Sequence, residues 1–227
     1  MYCLTDILYR FVCSRNARAM DSVRLFRSYR SFTVGEYENV TIWQAGRATS
    51  AAPTFFKRAR IGPGGMEEEF LDGGLGSNNP ADILITEAIK IFGPRRPVSC
   101  ILSIGTGKAD VTEFKSPGFF QRAIPTALID ALKDMTLDCE RVAQRLDERF
   151  TERPGIYFRF NVEQGLQNIG LEEWKELGNI KAKTIQYLQD SNSEQRVKAA
   201  AHALYDINVT SDESSEPQQL LVADLGN

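Results

Sequence analysis

Histidine is almost missing from this chain of 227 residues: there is one, His202. It lies among Ala199, Ala200, Ala201 and Ala203, whereas a Ser-His-Asp triad needs an imidazole held in an oriented pocket, so a triad is set aside. Cysteine is scarce too. Cys3, Cys13, Cys100 and Cys139 are widely spaced, with no C-x-x-C pair and no clustered histidines. That argues against a zinc site and a dense disulfide scaffold, and it fits a reducing, intracellular (cytoplasmic) setting. Nor is there a strong excess of one charge. Of 30 acidic residues, Asp212, Glu213, Glu216 and Asp224 follow Thr210, leaving 26 against 27 basic residues before it. No basic patch points to nucleic acid. No run approaches the roughly 18 consecutive apolar residues of a membrane span, and Asp6 and Arg10 interrupt any apolar leader. These absences leave a protein that is soluble or at most peripherally bound to a membrane. With 42% apolar and 10% aromatic residues it has enough material for a real core.

What is present is concentrated in one run, Phe70-Leu71-Asp72-Gly73-Gly74-Leu75-Gly76-Ser77-Asn78-Asn79-Pro80. It delivers a carboxylate at the end of an apolar stretch onto a backbone built to turn. Gly73 and Gly74 are free to take positive φ, so a strand ending at Asp72 can bend sharply and point its side chain into a cleft. Asn79 suits an N-cap and Pro80 the first helical position, which predicts a helix from Pro80 to about Phe92, with Ile83, Leu84, Ala88, Ile89 and Ile91 as its apolar side and Gly93-Pro94 as its stop.

Elsewhere the pattern predicts strands over Ile7 to Cys13 and Val23 to Tyr29 around a polar loop, Ser14 to Ser22. Thr41 caps a helix through Ile42, Trp43, Ala45, Ala48 and Ala52, rich in small residues and ended by Pro53. Strands over Thr54 to Arg60 and Glu69 to Leu71 flank the glycine turn Gly62 to Gly65. Val98 to Ile104 is a nearly continuous apolar run, as in a buried parallel strand. Leu128, Leu132, Met135, Cys139, Val142, Leu146 and Phe150 recur at helical spacing. A strand over Ile156 to Val162 and helices over Leu171 to Leu188 and Glu194 to Asp206 complete a three-layer α/β pattern; after Thr210 the chain reads as a polar tail.

If this chain belongs to a hydrolase, its base is not histidine, and an aspartate in a dry pocket is the alternative. Asp has a reference pKa of about 3.9, and desolvation raises it and strengthens the carboxylate as a proton acceptor. On local chemistry alone, Asp72-Gly73-Gly74 reads first as an ordinary turn after a strand, with the catalytic corner as its rival. Gly105-Thr106-Gly107 after the buried strand is either a phosphate cradle or a tight strand exit; it lacks the P-loop lysine and the further glycine of a dinucleotide fingerprint. Phe119-Phe120 is either a lipid-dipping pair or two core anchors.

Three stretches carry more when taken together: Ala45-Gly46-Arg47-Ala48-Thr49-Ser50-Ala51-Ala52-Pro53-Thr54-Phe55-Phe56, the run Phe70 to Pro80, and Leu102-Ser103-Ile104-Gly105-Thr106-Gly107. In order and spacing they resemble the patatin-like phospholipase family, and Leu25 to Tyr29 and Tyr157 to Val162 are similar to it as well. The resemblance runs from about Ile7 to Asp206. It implies a three-layer, α/β hydrolase-like sheet with flanking helices that cleaves acyl esters of phospholipids or other lipids without calcium or any cofactor, through a serine-aspartate dyad. Asp72 matches the dyad aspartate, and Gly73 and Gly74 complete its motif. The family's nucleophile lies upstream in a Gly-x-Ser-x-Gly elbow, after a glycine-rich oxyanion loop. Neither motif occurs in the 227 residues.

The expectation is therefore an N-terminally truncated, partial patatin-like domain over residues 1–209, with an acidic tail or linker over 210–227. It meets a lipid or membrane-surface substrate and is catalytically incomplete alone, its sheet completed by an upstream segment or a partner chain. Its helix from Pro80 and strand from Val98 should then expose an apolar face and a sheet edge. Two rivals stand beside this reading: a non-catalytic lipid-surface or protein-binding module derived from the same fold, and a phosphate-binding regulatory domain using Gly105-Thr106-Gly107.

Overall fold

The computed structural model describes residues 9–30, 39–53, 55–108, 126–167, 169, 173–205 and 220–221, with 126–136 and 220–221 described by backbone alone. The chain divides into two compact units, residues 1–78 with 117–139 and residues 79–116 with 140–227.

In the first unit β1 (Phe11–Asn16) and β2 (Ala19–Arg27) form an antiparallel hairpin. Its turn is tight because Asn16 Oδ1 accepts the N–H groups of Arg18 at 2.9 Å and Ala19 at 3.2 Å. The loop predicted at Ser14 to Ser22 is thus mostly strand. Its polar residues hide the signal, but β1 is paired on both sides, and the buried Ser14 shares its hydroxyl proton between the carbonyls of Leu71 at 2.7 Å and Ala48 at 3.2 Å.

With β3 (Ala59–Ile61) and β4 (Glu68–Asp72) the sheet runs in the order β2-β1-β4-β3, antiparallel throughout. The strand predicted from Thr54 begins only at Ala59. Helix α1 (Ile42–Thr49) starts at the predicted cap: the Gln44 N–H donates to Thr41 Oγ1 at 3.4 Å and the Thr41 N–H to Gln44 Oε1 at 2.9 Å. It stops at Thr49, short of the predicted Ala52. Its small residues do allow close packing, since Ala48 sits in a core with Phe26, Ala59, Ile61 and Phe70, where the two phenylalanine rings meet edge-on at 5.2 Å. One irregular turn, α2 (Gly74–Ser77), follows β4.

The second unit opens with α3 (Ala81–Phe92), which ends as predicted where Gly93 takes φ of 76° and its N–H returns to the Ile89 carbonyl. Two corrections apply to it. The cap position is held by Pro80, while Asn79 reaches forward to accept the Ala81 N–H at 3.4 Å. Its inner stripe is Ala81, Ile85 and Ile89, leaving Leu84 exposed. The predicted strand Val98 to Ile104 is broken into β5 (Pro97–Val98) and β6 (Ile101–Ile104).

Helix α4 (Thr126–Phe150) spans the residues where the units divide, and its Val142, Leu146 and Phe150 are buried at the predicted spacing. β7 (Tyr157–Phe160) pairs with β6 in parallel, as expected for that run, and a short 3-10 turn at Trp174–Glu176 leads into α5 (Leu177–Gln189) and α6 (Ser191–Tyr205). β8 (Leu220–Leu221) pairs antiparallel with β5, so this piece of the expected tail is strand.

The α/β class read from the sequence holds, with helices packed beside mixed sheets. Ile101 and Ser103 face inward from β6, whereas Leu102 and Ile104 stand 38% and 77% exposed, so the strand is covered on one side only. Leu84 and Phe92 of α3 are exposed as well. Among the described residues no helix is long and apolar enough to cross a membrane. The expectations resting on Ile7, Thr54, Phe119, Phe120, Leu171, Asp206 and the tail apart from Leu220 and Leu221 lie outside the described residues.

Candidate active site

Asp72 ends β4, opposite Ser14 of β1 in the antiparallel register. Beyond it the chain is captured by the end of α1: the Asp72 N–H donates to the Ala51 carbonyl at 3.1 Å and the Gly73 N–H to the Thr49 carbonyl at 3.2 Å. The alanine-rich sequence there is what lets a helix end lie against a strand end.

Gly73 does not take the positive φ that the sequence suggested. It is right-handed, φ −66° and ψ −25°, and Gly74 is not left-handed either. Glycine is needed at 73 for space, because a Cβ there would overlap the Cys13 carbonyl, which also accepts the Thr49 hydroxyl at 2.6 Å. The left-handed residue of the loop is Gly76, φ 89°, where a side chain would run into the Arg15 guanidinium. Arg15 in turn donates to the Leu75 carbonyl and holds the loop down.

The Asp72 carboxylate is half-buried. Its Oδ1 accepts the Gly74 N–H at 2.7 Å, and no other donor to it is found among the described residues. Burial raises its pKa above the ordinary 3.8, and the Gly74 hydrogen bond partly offsets this. The corner therefore offers one carboxylate oxygen fixed by backbone and a second able to accept a proton from a substrate or nucleophile.

Three hydroxyls of the corner are otherwise engaged. Ser14 and Thr49 donate to backbone carbonyls as described, and Ser50 donates to the Gly46 carbonyl at 2.8 Å. Ser77 is buried without a hydrogen-bond partner among the described residues, so it makes no bond to Asp72. Of the residues that build the corner, Cys13 ended a predicted strand and Thr49 lay in one of the stretches that resemble the family, whereas Ser14 and Arg15 fell in a predicted loop and carried no site signal.

Gly105-Thr106-Gly107 resolves as a strand exit. The Gly105 N–H donates to Phe160 O at 2.7 Å, Gly107 N–H to Asn161 Oδ1 at 2.8 Å and Lys108 N–H to Val162 O at 2.8 Å. Those groups are spent on the neighbouring strand, which overturns the phosphate-cradle reading. His202 is exposed on α6. Cys13, Cys100 and Cys139 are not in disulfides, and no cluster of His, Cys, Asp or Glu among the described residues is arranged to hold a metal ion.

Residues 8–85, which include the Asp72 corner, match the family model described as Patatin-like phospholipase. Among curated proteins the chain is 32% identical over 165 residues to the human protein named calcium-independent phospholipase A2-gamma, covering 72% of this chain and 19% of the relative. It is 32% identical over 121 residues to phospholipase A I of Arabidopsis thaliana, covering 53% and 8%, and 27% identical over 199 residues to patatin-like phospholipase 1 of Plasmodium falciparum, covering 78% and 28%. The chain thus spans about a fifth of the length of the first of these relatives. No solved structure matches. By its sequence, the segment 8–85 belongs to the patatin-like phospholipase family.

Proposed function

We propose that this chain is part of a calcium-independent lipid acyl hydrolase, with Asp72 as the base of a serine-aspartate dyad whose serine is not among these 227 residues. On this reading residues 1–209 are a partial patatin-like domain, residues 210–227 a tail, and the chain alone does not turn over. It is cytoplasmic and meets lipid at a membrane surface.

The observation that carries the reading is the carboxylate of Asp72, half-buried, raised in pKa and fixed through one oxygen, inside the segment matched by the family. In the complete enzyme the serine oxygen attacks the acyl carbonyl while its proton passes to Asp72. Asp72 hands that proton to the leaving alcohol, and in the second half it takes a proton from the attacking water and returns it to the serine oxygen as the acid is released. Gly73 and Gly74 shape the turn that aims it. The engaged hydroxyls around Asp72 support the view that none of them is the nucleophile.

The test is Asp72→Asn in a full-length protein that carries a Gly-x-Ser-x-Gly elbow. Asparagine keeps an oxygen for the Gly74 N–H but cannot accept the proton. Loss of phospholipid hydrolysis with an unchanged circular dichroism spectrum supports the reading, and retained hydrolysis overturns it. The missing elbow is also what favours the rival, a non-catalytic lipid-surface module. A full-length protein without such a serine, binding vesicles but not hydrolysing them, decides for that rival.

A further inference from the structure

The first turn of α1 places Ile42 and Trp43 in solvent, 94% and 70% exposed, while Ala45 and Ala48 on its other side meet the core of the first unit. The Thr41 and Gln44 capping box already fixes the helix start, so local structure gives no reason for two large apolar side chains there. Trp43 and Arg47 are four residues apart and share a helix face. The Arg47 guanidinium lies 5.4 Å from the centre of the Phe56 ring and donates to the Lys57 carbonyl, and Phe56 is itself 57% exposed beside an exposed Phe55. The Phe56 N–H donates to the Ala52 carbonyl at 2.9 Å, which fixes this segment against the end of α1.

Charge separates this face from its surroundings. Arg58 pairs with Glu69 at 3.0 Å and Arg60 with Glu67 at 3.2 Å, whereas Arg47 and Lys57 have no ion pair among the described residues. Lys57 is therefore an exposed cation, unpaired among the described residues, beside the exposed phenylalanines, while the half-buried Arg47, one of whose guanidinium nitrogens is buried, is held against the Phe56 ring and the Lys57 carbonyl. Amphipathic aromatics with basic neighbours suit the boundary between anionic headgroups and acyl chains. A second copy of the chain would bring like charges together.

We propose that Ile42, Trp43, Phe55 and Phe56, with Arg47 and Lys57, form a face of the first unit that docks on an anionic phospholipid bilayer. The choice of a lipid partner rests on the hydrolase reading above; the face itself rests on exposure and charge.

The experiment is co-sedimentation of the 227-residue chain with phosphatidylcholine vesicles with and without phosphatidylserine. The chain binds the mixed vesicles, more weakly at high salt and on phosphatidylcholine alone. Trp43→Ala and Phe56→Ala each lower partitioning by about tenfold. Lys57→Glu lowers it on the anionic vesicles only. Trp174→Ala, which removes the exposed tryptophan of the second unit, leaves it unchanged. In a Trp174→Phe background the Trp43 emission shifts to the blue on binding. Partitioning that ignores the Trp43 and Phe56 changes, an absence of preference for phosphatidylserine, or a dimer lost on Trp43→Ala without vesicle binding overturns the proposal. Because the readout is binding, it is separable from the chemistry: binding without hydrolysis in the full-length protein defeats the catalytic reading alone, and hydrolysis with partitioning indifferent to this face defeats the docking face alone.

Discussion

Two strand exits in this molecule look alike in sequence and differ in what they do. Asp72-Gly73-Gly74 follows β4, and Gly105-Thr106-Gly107 follows β6. In both, a Cβ on the first glycine would meet a close neighbour. At Gly73 the neighbour is backbone, the Cys13 carbonyl; at Gly105 it is the side chains of Asn161 and Arg159. At the first exit, backbone N–H groups tie the chain down and a carboxylate is left with accepting capacity. At the second, the N–H groups of Gly105, Gly107 and Lys108 are consumed by the adjacent strand and the residues following it. A glycine pair after a strand therefore signals close approach. Whether it also signals chemistry depends on what polar capacity remains once the ladder is complete.

The largest effect should come from Gly73→Ala. A methyl group against fixed backbone forces the corner open, and we expect a loss of about 3 kcal/mol in chemical denaturation. A cost near zero would mean that the Cys13 carbonyl is not held where it is described. At the other exit, Asn161→Ala strips the acceptor from the part-buried Gly107 N–H and should cost about 2 kcal/mol.

Gly105→Ala is expected to be milder, about 1 kcal/mol, because the atoms it meets are side-chain ends that can turn away. In an Asn161→Ala background that cost should shrink, and additivity of the two changes would break the account of their shared space.

The smallest effect concerns Asp72 and depends on pH. Burial raises its pKa, so the folded state holds the proton more tightly than the unfolded state does. The stability this contributes is full below the ordinary value of 3.8 and is lost as pH rises through the raised value. Asp72→Asn should therefore melt higher than the parent chain at neutral pH and equal to it well below 3.8. A mutant that melts lower at neutral pH would indicate that the carboxylate is stabilised rather than desolvated.

Local chemistry made part of this legible. Thr41 with Gln44, Gly93 after Phe92, and the spacing of Val142, Leu146 and Phe150 each act within a few residues, so the sequence displays them directly. Asp72 at the end of a strand before a turn was legible for the same reason. What was hidden depends on pairing across the chain. Ser14 to Asn16 look like loop because they are polar, yet they lie between two strands. The need for Gly73 arises from a carbonyl 60 residues earlier in the chain, and Leu220-Leu221 become strand only by meeting Pro97-Val98.

The most direct test of the central claim is a turnover assay of the 227-residue chain, with and without Asp72→Asn, on phospholipid vesicles and on short acyl esters. A base lacking its nucleophile predicts no turnover that depends on Asp72. Hydrolysis by the parent chain that disappears in Asp72→Asn would contradict the account, because a complete dyad would then have to reside within these residues.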